Sequence, residues 1–131
     1  MVSWQMDNND DSVDVIVPLN PRYASTLRTM ASSLGAEGGF SIDEIDDIKL
    51  ALTEAFSMLV VRHPGKRARA IFAVAPSAVS VRLSLESGAA IEVEPDELAL
   101  AILRAVVDSY EITELAITLL KRAVETSMQD R

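Results

Sequence analysis

The stretch from Phe40 to Gly65 constrains this chain more than any other. Ser41 and Glu44 have the spacing of a capping box, in which each side chain satisfies a backbone N–H of the other's turn, and Phe40 and Ile45 flank them as a hydrophobic staple. Ile45, Ile48, Leu52, Ala55, Phe56 and Leu59 then recur on one helical face as far as Arg62, where Pro64 and Gly65 end the pattern. A helix of this length with one apolar stripe must be covered by another layer, so the rest of the chain has to supply one.

The flanking segments supply it. Val13, Val15 and Val17 alternate with Asp14 and Ile16, predicting a strand from Ser12 that Pro18 closes. Asn20 and Pro21 open a first helix carrying Tyr23, Leu27, Met30 and Leu34, which is expected to stop at Gly35. Ala68–Ala75 and Ala78–Glu86 read as a hairpin turning at Pro76 and Ser77. Its second strand sets Val79, Val81, Leu83 and Leu85 against Ser80, Arg82, Ser84 and Glu86. Ile91 and Val93 suggest a short further strand. Pro95, Asp96 and Glu97 open a third helix, with Leu98, Ile102, Ala105 and Val106 facing inward. From Tyr110 two periods fit: Ile112, Leu115, Ala116, Leu119, Leu120 and Ala123 make a helix, and Leu115, Ile117 and Leu119 make a strand. Propensity favours the helix. This order predicts an α+β two-layer sandwich in one domain over 12–125, with flexible segments at 1–11 and 126–131.

Composition narrows the function. The chain has 131 residues, 49% of them hydrophobic, and no cysteine, so disulfides, thiolate metal sites and cysteine nucleophiles are excluded. No stretch approaches the roughly 20 apolar residues that span a bilayer, and the opening residues lack a signal pattern, so a soluble, cytoplasmic protein without a membrane role is expected. The 20 acidic and 12 basic residues leave a net charge of -8, which disfavours nucleic acid and suits a basic protein partner. Lys66, Arg67 and Arg69 read as a solvated strand entry. Trp4, in the polar opening, docks on the domain or on a neighbour.

The run IDEIDDIKLALTEAFSMLVVRHP, with LAILRAVVDSYEI after it, resembles the anti-sigma-factor serine kinases of the GHKL ATPase superfamily, the RsbW type. The likeness runs from Val13 to Lys121. It implies the histidine-kinase-like ATPase fold: a mixed, mainly antiparallel sheet covered by about three helices, here with a reduced lid. It also implies strand structure through about Leu120. In these kinases the second helix presents Glu-Ala-X-X-Asn, the Glu acting on the nucleophile and the Asn holding Mg²⁺. Glu54 and Ala55 match, but Met58 stands at the Asn position. A thioether is a poor ligand for an ion that demands oxygen. Arg62 occupies the place of the family histidine, with His63 one residue later; read from the residues alone, His63 is a cation capping the helix C-terminus.

The family's adenine-reading Asp-X-Gly-X-Gly is matched by Glu86, Gly88 and Ala90, and no glycine lies between Ala89 and Asp96 to wrap a triphosphate. Glu54 is a relic base or simply a solvated carboxylate, and Met58 fills core space. No cofactor and no metal are expected, with ATP and Mg²⁺ as the alternative. The resemblance further implies a homodimer that sequesters a sigma factor and answers to a STAS-type anti-anti-sigma antagonist. Arg28 matches a family contact residue on the first helix, with Arg22 and Tyr23 beside it; all three also read as ordinary surface groups. Two alternatives stand beside this reading: an active serine kinase using Glu54, and a dimeric scaffold with no sigma partner.

Overall fold

The computed structural model describes residues 11–124, arranged as β1 (Asp11–Pro18), a 3₁₀ turn (Pro21–Tyr23), α1 (Ala24–Glu37), α2 (Ile42–Arg62), β2 (Arg67–Ala75), β3 (Ala78–Leu85), α3 (Glu97–Val106), β4 (Ser109–Ile112) and β5 (Ile117–Arg122). The expected flexible ends and Trp4 lie outside the described residues, apart from Asp11, which opens β1. The strands form one sheet in the order β1-β2-β3-β5-β4. Among the described residues all four pairings are antiparallel, so the sheet of this α+β sandwich is antiparallel there and not mixed.

The register shows why one layer of helices suffices. Val13, Phe72, Val81, Leu119 and Tyr110 lie in one row across the sheet, and Val15, Ala70, Leu83, Ile117 and Ile112 in the next. Apart from Val13, which is exposed at the edge, both rows join the core formed with Leu27 and Ala31 of α1, Leu52, Phe56 and Leu59 of α2, and Leu103 of α3. The alternate rows carry the polar groups, such as Asp14, Arg82, Thr118 and Glu111. Ser80 is the exception among the polar positions foreseen on β3: it is buried, paired between Ala73 and Leu120.

The capping box forms as the spacing predicts, with Ser41 N–H donating to Glu44 Oε1 at 2.8 Å and Glu44 N–H to Ser41 Oγ at 3.1 Å. Phe40 and Ile45 both pack near Gly35. That packing explains the first departure. Helix α1 runs through Gly35 to Glu37, with Gly38 as its cap, and Gly35 instead lets α2 pack closely: a Cβ there would lie 2.9 Å from Ile45 Cγ1. The glycine marks a crossing and not an end. Asn20 caps the 3₁₀ turn, its Oδ1 accepting from Arg22 N–H, and α1 follows from Ala24.

Three further expectations are corrected. Helix α3 buries Ala99 and Leu103, with Ile102 and Val106 half-buried, whereas Leu98 and Ala105 are exposed. Apolar residues surround much of this helix, so their period alone did not select its inner face. Ile91 is buried but forms no strand, since β3 already has β2 on one side and β5 on the other. The segment is instead held by Ile91 N–H donating to Glu114 O at 2.7 Å. The chain from Tyr110 is a strand hairpin, β4–β5, reaching Arg122, so the helical reading of this tail fails and the strands expected from the resemblance are present. Its inward residues complete both apolar rows, which a helix would leave open.

Lys121 and Glu44 tie the layers together. Lys121 Nζ donates to Asp47 Oδ2 of α2 at 3.2 Å and to Val106 O, at the end of α3, at 2.9 Å. Glu44 accepts a second N–H, from Val124, at 2.7 Å.

Candidate functional site

Two grooves flank α2. The first, of about 370 Å³, lies between α2 and the start of α3. Glu54, Ser57, Met58, Val61 and Arg62 reach it from α2, at the spacing of one helical face. Glu94, Pro95 and Asp96 close it from the preceding segment, and Leu98 and Ala99 from α3. Asp96 caps α3, its Oδ1 accepting from Ala99 N–H at 2.7 Å, and so fixes where that helix begins.

The segment before α3 is stapled to the end of α2. Arg62 Nη2 pairs with Glu92 Oε1 at 3.1 Å and its Nη1 with Glu94 Oε1 at 3.0 Å. Glu92 N–H donates to His63 Nε2 at 2.9 Å. His63 thus serves the segment before α3 as a hydrogen-bond acceptor through its ring. Its backbone does cap α2, donating to Leu59 O at 2.8 Å.

The second groove, of about 340 Å³, runs between α1 and α2 along Pro21, Ala24, Arg28, Thr53, Phe56 and Val60. Arg28 is half-buried there, its Nη1 donating to Thr53 Oγ1 at 3.2 Å. Arg22 and Tyr23 are absent from the lining. They pair with each other, the guanidinium 5.1 Å from the ring centroid and donating to the phenol oxygen at 3.2 Å. Ser57 and Val61 border both grooves.

Of the five residues assigned to a degenerate nucleotide pocket, the fold brings two together. Glu54, half-buried, and Met58, 8% exposed and part of the core, line the α2/α3 cleft. Glu86, Gly88 and Ala90 follow β3 and are not part of that lining; Glu86 accepts from Arg67 Nη2 at 3.3 Å and Gly88 turns the chain with φ +83°. The charge of the lining is unfavourable for a triphosphate. Three carboxylates line the cleft against one guanidinium, which is already paired, and α2 presents to it the Met58 thioether, a poor ligand for Mg²⁺. Among the described residues no cluster of three or more metal-ligating side chains occurs.

A crystal structure of the RsbU and RsbW domains of Rv1364c from Mycobacterium tuberculosis superposes on 86% of this chain with a TM-score of 0.67, at 19% identity, and the chain covers 32% of that protein. The chain has an RsbW-like fold. The RsbW-like domain is also 38% identical over 50 residues to the serine-protein kinase RsbW of Bacillus subtilis and 30% identical over 50 residues to that of Bacillus velezensis. It spans 31% of the length of either kinase. No family model matches the chain.

The lining contributed by Glu94, Asp96 and Leu98 was not foreseen as part of a site. The sequence pattern puts Leu98 on the inner face of α3 and Asp96 at the helix start, and gives Glu94 no role. The spacing of Glu54, Ser57, Met58 and Val61 was visible in the sequence, but what approaches that face depends on where α3 returns.

Proposed function

We propose that this RsbW-like domain is a regulatory protein of the anti-sigma type, which sequesters a sigma factor and has lost phosphoryl transfer. The observation that carries the reading is Met58, buried in the floor of the α2/α3 cleft at the position of the magnesium-holding Asn. Phosphoryl transfer depends on positioning and on neutralising phosphate charge, and a cleft lined by Glu54, Glu94 and Asp96 does the reverse. The similarity to serine-protein kinases named RsbW supports the regulatory class.

In this reading the sigma factor binds the face of α1, with Arg28 in the α1/α2 groove as a charged anchor and Arg22 and Tyr23 beside it. Thr53 holds the guanidinium in place, so little side-chain freedom remains to be lost on binding. A STAS-type antagonist competes for the same face, and the working unit is a cytoplasmic homodimer. Among the described residues no helix is long and apolar enough to cross a membrane. Isothermal titration with Mg-ATP tests the loss of chemistry: no heat of binding is expected at micromolar protein, and a micromolar Kd would sink it. Copurification with the sigma factor tests the face, with Arg28→Glu expected to weaken capture by at least about tenfold, as for a central charged anchor.

One observation favours a second reading, an active serine kinase that phosphorylates an anti-anti-sigma factor: Glu54 lines the cleft and makes no ion pair among the described residues. Transfer of labelled phosphate to such a protein, abolished by Glu54→Gln, would establish it.

A further inference from the structure

The α2/α3 cleft is poorly suited to an anion, yet it is concave and partly apolar. Met58 and Ala99 form an apolar floor, and Val61 and Leu98, 74% and 69% exposed, stand at its mouth from facing helices. Exposed aliphatic side chains are ordinary when scattered; two that converge on one cavity make a docking surface. Its charge is one-sided. Glu54, Glu94 and Asp96 line it, Glu97 follows in the first turn of α3, and the one cation, Arg62, has both terminal nitrogens on Glu92 and Glu94.

We propose that this cleft is a docking groove for a cationic amphipathic segment of a partner protein, seating apolar side chains on Met58, Val61 and Leu98 with lysine or arginine facing Glu54 and Glu94. Charge complementarity selects the occupant: an acidic peptide or a phosphate group meets the same carboxylates as repulsion. The cavity lies within the roughly 300–1,000 Å³ of ligand pockets, while its exposed rim of Val61 and Leu98 favours a chain lying across the mouth over an enclosed small molecule. Ser57 and Val61 also border the α1/α2 groove, so a segment seated here can continue toward Arg28.

The test uses the full chain, ¹⁵N-labelled, and three synthetic 15-residue peptides: a leucine–lysine amphipathic helix, the same sequence with glutamate for lysine, and a scramble of equal positive charge without an apolar face. The leucine–lysine peptide is expected to shift the amides of Glu54–Arg62 and Glu94–Ala99, and to bind at least about tenfold more tightly than either control. Leu98→Asp and Glu94→Lys, both at exposed positions, should each weaken it by about tenfold or more while the circular dichroism stays unchanged. Equal binding of the scramble or the glutamate peptide, shifts confined to other surfaces, or full affinity in Leu98→Asp would each overturn the proposal. Arg28 is outside this cleft, so Arg28→Glu should leave peptide affinity within about twofold, and failure here does not touch the sigma-binding reading.

Discussion

Glu44 shows how much one side chain carries in this domain. Its carboxylate accepts from Ser41 N–H and from Val124 N–H, so the start of α2 and the chain beyond β5 share one anion. Those two N–H groups, Ser41 first, hold its pKa below the ordinary 4.5. The folded value is therefore the lower one. Its contribution is present in full above the unfolded carboxyl range and fades as the pH falls through that range toward the folded value. Glu44→Gln keeps a single acceptor oxygen, and is expected to cost about 1 kcal/mol at pH 7 and less at pH 3, measured by urea unfolding at both. Gly35 shows the opposite limit of sequence reading. A helix-ending glycine and a close-approach glycine look alike until the neighbouring helix is in place, and only Ile45, which would lie 2.9 Å from a Cβ at Gly35, distinguishes them.

Helix α3 and the segment before it are positioned from outside themselves. Lys121, on β5, is 15% exposed and joins α2 to the end of α3 through Asp47 and the Val106 carbonyl. Lys121→Ala leaves that carbonyl without its charged donor and should cost about 1–3 kcal/mol, with a double-mutant cycle against Asp47→Ala showing positive coupling. The staple of Arg62 on Glu92 and Glu94 is solvent-exposed, so it should matter locally more than globally. Arg62→Ala is expected to change global stability by less than about 1 kcal/mol, and to speed hydrogen exchange at the Glu92 and Ile91 amides. Exchange left unchanged there would show that the His63 acceptor and the Glu114 carbonyl hold the segment unaided.

The sheet order β1-β2-β3-β5-β4 places β5, late in the chain, inside the sheet beside β3. Both core rows therefore close only when residues far apart in the chain meet. A chain ending at Asp108 loses Ile117 and Leu119, both almost fully buried, and uncovers Val81 and Leu83. It should unfold without a cooperative thermal transition by circular dichroism and bind a hydrophobic dye. A cooperative melt near that of the full domain would mean that β1–β3 and the helices fold alone. The two grooves on either side of α2 belong to the same level of organisation, since each exists because another helix lies alongside it.

Local chemistry accounts for what was readable from the residues. The capping box at Ser41, the end of α2 before Pro64, the β2–β3 hairpin and the sandwich class all follow from dihedral preference, hydrogen-bonding reach and a period, none of which needs a distant partner. That α2 carries a thioether at Met58 is likewise a matter of residue identity. Assembly determined the remainder. Whether the segment after Tyr110 became helix or strand, which side of α3 faced inward, and how Leu98, Glu94 and Asp96 came to stand opposite Glu54 depended on β3 offering an edge and on α3 returning beside α2. Burial area and pairing of this kind arise only between elements, and no single element encodes them.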